Sequence, residues 1–274
     1  MGGSGLRVID FGRASALRSQ TLWHAVAYGV SEGAPPTLSF VRPAEPYVCL
    51  GYHRRLDEVD EKYCAAQGLP VLRRMVGGGP VYLDSDQLFF QICLPQDSVS
   101  PARSAAIRDL LTPAVAAYRA AGVVAAELDA NLEISLGDRK ICGHGAGQIE
   151  DAVVVCGNLI ERFDHERATS VLRMPDGVDR AEVLRLMRRY VAATPADPAA
   201  FKQAAARAYA RALGLRAEPG DLTSGERAAL AELDARFSSE EWTAGPGSRA
   251  ARPPDGIKIR AGVWVGTTKQ KGQS

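Results

Sequence analysis

The run Arg73-Arg74-Met75-Val76-Gly77-Gly78-Gly79-Pro80-Val81-Tyr82-Leu83-Asp84 constrains the fold more than any other stretch of the chain. It sets a basic pair and three successive glycines between two apolar segments that read as strands. A bend without β-carbons lets a ligand approach the main chain closely and lets peptide N–H groups point at an anion. Arginine suits such an anion, because its guanidinium pairs bidentately with phosphate or carboxylate. Strand alternation puts Arg73 and Arg74 on opposite faces, so one of them reaches a ligand and the other does not. A tight hairpin with solvated arginines would carry the same residues, and the remainder of the sequence has to separate the two readings.

Composition narrows the classes. With 274 residues, 46% hydrophobic and 24% charged, the chain can bury the core of one large domain, with or without a small appendage. Its 33 basic and 32 acidic side chains leave a net charge of +1, so no overall field favours nucleic acid or an anionic membrane. No apolar run reaches the roughly 18 to 20 residues of a membrane span. Met1-Gly2-Gly3-Ser4-Gly5 has none of the regions of a signal peptide. The expectation is a cytoplasmic protein without nucleic-acid or membrane partners. Cys49, Cys64, Cys93, Cys142 and Cys156 form neither a C-x-x-C pair nor an even disulfide framework, as expected of reduced thiols.

Periodicity predicts a strand at 6–11, a helix at 15–30, strands at 37–41 and 47–51, and a helix at 56–67 capped by Gly68. Residues 71–75 enter the glycine turn, 81–83 return from it, and 87–94 form an apolar strand. A helix follows at 104–121, kinked or divided by Pro113, and a strand at 152–160. From Asp164 onward the pattern is helical, with Asp197-Pro198 as a cap and Thr223 and Glu226 at capping-box spacing. The fold class expected is α/β (α+β), with mixed or antiparallel sheets flanked by helices. Residues 1–242 make the main domain, of which 165–242 is its helical part; 243–256 is a linker, and 257–274 a terminal strand with a disordered polar tail.

A second stretch completes the argument. Asn131-Leu132-Glu133 leads through a Gly137-Asp138 turn to Arg139-Lys140-Ile141-Cys142-Gly143 and a glycine-rich loop. Taken with Arg73-Arg74-x-x-Gly77-Gly78-Gly79-x-Val81-Tyr82-x-Asp84, it resembles the lipoate-protein ligase family. Gly145-Ala146-Gly147-Gln148-Ile149, Gly157-Asn158-Leu159-Ile160 and Phe163-Asp164 look like the family's continuation, so the resemblance covers about residues 5 to 175.

The resemblance implies a biotin/lipoate transferase-like domain that activates lipoate or octanoate with ATP and Mg2+ as acyl-AMP and passes it to a lysine of a carrier domain. The carriers would be lipoyl domains of 2-oxoacid dehydrogenase complexes or a glycine-cleavage H-type protein. Lys140 would be catalytic, stabilising charge on acyl carbonyl and phosphate. Arg74 would hold phosphate or carboxylate oxygens, and Gly77, Gly78, Gly79 and Gly143 would line the pocket. Val81 and Tyr82 would form its wall, Asn131 would lie near the nucleotide, and Asp84 is a candidate for the metal. The chain departs from the family's pattern at Val76, Pro80 and Leu83, each removing a polar group or a backbone donor. A separate subunit could supply the family's small accessory domain. Two other readings share the fold: an octanoyl or lipoyl transferase using thioester chemistry, with Cys142 as nucleophile and His144 as its base, and a non-catalytic module that docks carriers.

Overall fold

The computed structural model describes residues 5–245 and 256–266. In chain order the elements are β1 (Gly5–Ala14), α1 (Ala16–Ser31), β2 (Thr37–Pro43), β3 (Tyr47–Leu50), α2 (Glu61–Ala66), β4 (Val71–Arg73), β5 (Val81–Leu83), β6 (Gln87–Pro95), α3 (Arg103–Ala120), β7 (Ala126–Leu128), β8 (Ile134–Leu136) and β9 (Arg139–Lys140). There follow β10 (His144–Ile149), β11 (Ala152–Ile160), α4 (His165–Ser170), α5 (Arg180–Tyr190), α6 (Pro198–Leu213), β12 (Arg216–Pro219), α7 (Ser224–Phe237), α8 (Glu240–Ala244), β13 (Gly256–Arg260) and β14 (Val263–Gly266).

The main sheet runs β10-β11-β6-β2-β1-β12. Strand β1 is parallel to both its neighbours, and the other pairs are antiparallel. Alternation along β6 decides what each face does. Leu88, Phe90, Ile92 and Leu94 join Leu111, Tyr118, Phe201 and Tyr209 of α3 and α6 in one core. Gln87, Phe89, Gln91 and Cys93 take the opposite face, where Cys93 packs with the layer of α1 and α7. A small mixed sheet, β4-β3-β5, stands over that second face. Its apolar side closes on α4, α5 and β13 through Val48, Leu50, Val171, Val183 and Ile259. The mixed α+β class expected from the sequence is what the chain adopts.

Several expectations are corrected. The expected helix at 56–67 divides into a single 3-10 turn, Leu56–Glu58, and α2, whose start is fixed by Asp60 accepting from the Tyr63 amide. Pro113 leaves α3 as one continuous helix. The part expected to be helical contains β12, paired in parallel with β1. The terminal strand is a hairpin, β13–β14, turning at Gly262 with φ +76°. The expected linker, 243–256, loses its first two residues to α8, which continues through Ala244. The remainder of the expected linker and the tail beyond Gly266 lie outside the described residues.

Candidate functional site

The two arginines are buried, which excludes the solvated hairpin. Arg73 lies beneath the small sheet. Its guanidinium donates to five main-chain carbonyls, those of Gly51, Tyr52, Arg54, Trp242 and Thr243, while the Trp242 indole donates back to the Arg73 carbonyl at 2.9 Å. Without a facing carboxylate, burial pulls its pKa below the usual arginine range. Arg73 is therefore the clasp that holds the C-terminal helices to β3 and β4.

Arg74 takes the opposite direction and lines a cavity of about 370 Å³. It donates to Gly77 O at 3.0 and 3.2 Å, to Gly79 O at 3.0 Å and to Cys49 O at 3.0 Å. Four of its five N–H groups are thus taken by the main chain. Its first effect is to draw the carbonyls of the triplet to one side. The amides of Gly78 and Gly79 have no partner among the described residues, and both residues line the cavity. Gly78 has φ +110°, and a β-carbon there would stand 2.4 Å from Arg74 Nη2. Close approach shapes the loop on its other sides too: a β-carbon on Gly51 would stand 2.1 Å from Gly78 O, and one on Gly145 2.8 Å from Gly77 O. Gly77 N–H donates to Ala146 O at 3.2 Å, joining the triplet to β10.

Lys140 lines the same cavity. Strand β9 pairs with β8, and the Lys140 carbonyl accepts from the Ala192 amide at 2.9 Å, so its backbone is held from both sides. Its Nζ lies 3.3 Å from Glu133 Oε1. Glu133 is also 3.3 Å from Arg260 Nε and accepts from the Ala261 amide at 3.0 Å. Arg260 reaches Asp129 at 2.8 Å and donates to Asp138 O. The sequence reading assigned Glu133, Lys258 and Arg260 no role, because 115 or more residues separate Glu133 and Lys140 from the hairpin. The hairpin nevertheless closes the cavity mouth, to which it adds Lys258 and Ile259.

The other expected site residues separate clearly. Val81, Tyr82, Asn131 and Gly143 line the cavity, with Asn131 exposed at the mouth. Asp84 does not line it: its carboxylate accepts from Asp86 N and Gln87 Nε2 within its own turn, and burial raises its pKa. Val76, one of the departures from the family's pattern, is fully buried against Gly145 and Gly147, away from the cavity wall. Cys142 also misses the cavity. It is buried in the core with its thiol pushed up to about 11, and its Sγ lies 3.3 Å from Gly143 O. The nucleophile expected under the thioester reading thus stands outside the cavity in this structure. His144 lines the cavity as a neutral imidazole, with burial lowering its pKa to about 4 and Nδ1 unpartnered. Cys156 lines the cavity; burial raises its thiol while Arg74 pulls the other way. His144 and Cys156 lie on paired strands, where Cys156 is opposite Gly145 and His144 opposite Gly157.

A glycine-walled cavity with a lysine at its mouth defines a domain that can hold an elongated acid and stabilise negative charge at its carboxyl end. The model of the lipoyl protein ligase A/B catalytic domain matches residues 17–210, and the chain belongs to that family. Octanoyltransferase LipM of Moorella thermoacetica is 26% identical over 264 residues, covering 86% of this chain and 96% of that protein. Lipoate-protein ligase A subunit 1 of Thermoplasma acidophilum is 24% identical over 248 residues, covering 85% and 92%. The fold matches the bi-partite lipoate protein ligase of Thermoplasma acidophilum, solved in a study of that ligase and its E2 lipoyl domain, with a TM-score of 0.79 at 24% identity over 89% of this chain and 97% of that one.

Proposed function

We propose that the chain acylates a lysine of a lipoyl carrier domain, holding a lipoyl or octanoyl group in the cavity and activating it with ATP as an acyl adenylate. The observation that carries this reading is the convergence of Lys140, Lys258 and the unpartnered amides of Gly78 and Gly79 on one cavity whose cysteines, Cys49 and Cys156, are held protonated by burial. Cationic and N–H donors at fixed positions stabilise an oxyanion or a phosphate without reorganising during the reaction. The acid's carboxylate would attack the α-phosphorus of ATP, and pyrophosphate would leave with the P–O electron pair. The carrier amine would then form the amide, AMP leaving with the C–O pair and the amine proton passing to solvent.

Magnesium fits as a companion of the ATP phosphates. Among the described residues no group of three or more His, Cys, Asp or Glu side chains is placed to hold a metal of its own. Carriers of the E2 lipoyl-domain or glycine-cleavage H-protein type present the chemistry required, an exposed lysine. Among the described residues no helix is long and apolar enough to cross a membrane.

A second reading has its own support. Three relatives named octanoyltransferase LipM are matched over 96–97% of their length, which agrees more directly with octanoyl transfer than with ATP use. Under it, Cys156 replaces Cys142 as the candidate thioester, since it lines the cavity and lies in the field of Arg74. The test incubates the purified chain with octanoate or lipoate, ATP, magnesium and a carrier domain, and in parallel with an octanoylated carrier and no ATP. Acyl-AMP detected by mass spectrometry, reduced on the order of a hundredfold or more in Lys140→Ala and unchanged in Cys156→Ala, is expected. ATP-independent transfer abolished by Cys156→Ala would establish the thioester reading instead.

A further inference from the structure

The cavity has two unlike ends. Its mouth carries Lys140, Lys258 and exposed Asn131. The opposite end lies under α1 and is formed by Gln20, Trp23 and Gln91, which are 5%, 2% and 2% exposed. Strand register gives the distance between them. Gln87 pairs with Ile160, whose carbonyl accepts from Thr194 close to the Lys140–Val191 bridge, whereas Gln91 pairs with Cys156, four residues along. At the rise of a strand this is about 13 Å, the scale of a medium-chain acyl group.

Besides Asn131 at the mouth, four primary amides line the cavity, and they differ in how fully they are used. Asn158 and Gln87 are tied at both ends: Asn158 accepts from Gly143 N at 2.7 Å and donates to Gln87 Oε1 at 2.7 Å, and Gln87 Nε2 reaches Tyr82 O and Asp84. Gln91 accepts from Ser39 Oγ at 2.8 Å, and its amino group has no acceptor among the described residues. Gln20 Nε2 donates to Tyr47 Oη at 2.6 Å, and Gln20 Oε1 is buried without a donor.

The orientation of Gln20 follows from its neighbours. Ser19 Oγ is 2.7 Å from Ala16 O, which can only accept, and 2.9 Å from Tyr47 Oη. Tyr47 Oη accepts from both Ser19 Oγ and Gln20 Nε2, and the Gln20 carbonyl is the group left without a donor. One acceptor and one donor thus remain without a protein partner among the residues of the blind end, in a setting where an unmade hydrogen bond is costly.

We propose that this end is built for an acyl tail terminating in a hydrogen-bonding group, the chemistry shared by a terminal hydroxyl and a reduced dithiol, rather than for a plain hydrocarbon end. The inference rests on the acyl-site reading above. Gln91 donates to the tail and Gln20 accepts from it, so both are specificity residues distant from the carboxyl group that reacts. A straight alkyl end would fill the same volume and leave both amides unsatisfied.

The test measures binding of octanoate, 8-hydroxyoctanoate and dihydrolipoate to the full chain by calorimetry, with no ATP and no carrier. Both donor-bearing acids are expected to bind roughly tenfold or more tightly than octanoate. Tightening by the hydroxyl acid alone, or by the dithiol alone, supports the site and identifies its source. The advantage should shrink severalfold in Gln91→Met and in Gln20→Met while octanoate binding holds or improves. Octanoate binding as tightly as both others to the wild-type chain overturns the inference, whatever the variants do. Failure of all three acids to bind would overturn the acyl-site reading along with it.

Discussion

His24 links helix α1 to the glycine turn, and acid should break the link. Its Nε2 accepts from the Met75 amide at 3.1 Å and its Nδ1 lies 2.7 Å from Gln20 O, so the neutral ring carries its proton on Nδ1. The ring is fully buried between Trp23 and Phe237. Burial above all, with the charges of Arg236 and Arg74, lowers its pKa from 6.5 to about 3. The unfolded chain therefore takes up a proton that the folded chain refuses. This contribution to stability is complete above pH 6.5 and is lost progressively as pH falls toward 3. Between pH 8 and pH 5 the loss is about 2 kcal/mol. His144, lowered to about 4, adds a similar slope. The assay is urea unfolding at both pH values for the wild-type chain and for His24→Gln, whose side chain does not titrate. His24→Gln should be less stable at pH 8, yet its further loss at pH 5 should be smaller than that of the wild-type chain by about 2 kcal/mol. Equal losses in the two proteins would show that the imidazole is not held neutral by the fold.

Three further outcomes follow from the same contacts. Arg73→Met should lower the unfolding free energy by about 3 kcal/mol or more, because buried carbonyls lose their donor; a urea midpoint within error of wild type would refute the clasp. Gly78→Ala should cost about 1–3 kcal/mol from its positive φ alone. It should also weaken binding of the acyl acid, and unchanged calorimetric affinity would refute the shape assigned to the triplet. Arg260→Ala should raise the hydrogen-exchange rate of the β13–β14 amides while sparing β6 and β11, whose exchange should stay at the wild-type rate; equal protection in both proteins would show that the hairpin is held by something else.

The sequence disclosed most where chemistry and backbone coincide. Three consecutive glycines can be read from composition, and the structure uses them as close contacts with Gly51, Gly145 and Arg74. The alternation that sends Arg73 and Arg74 in opposite directions is equally local. Their partners are not: a guanidinium is expected to seek an anion, and both of these seek main-chain carbonyls, some of them 169 and 170 residues away. The cysteines show the same limit. Cys142 and Cys156 are separated by burial and by strand register, so the residue beside Lys140 in sequence lies in the core and the more distant one reaches the cavity. The expected terminal strand, 257–265, was broadly visible as β-rich sequence, but its turn at Gly262 and its docking on Glu133 depend on a partner formed by an earlier turn.

That docking also bears on how Lys140 is set. A lysine facing a single buried carboxylate would be neutralised by it and would offer little to an incoming anion. Here Glu133 meets Arg260 and the Ala261 amide as well as Lys140, and Asp129 gives Arg260 a second carboxylate. Two cations and one amide share two acidic side chains, so the ammonium keeps donors in reserve at the cavity. Removing the hairpin would leave Glu133 to Lys140 alone. The C-terminal segment therefore does more than cover the mouth: by sharing Glu133 it leaves part of the Lys140 ammonium unengaged at the cavity.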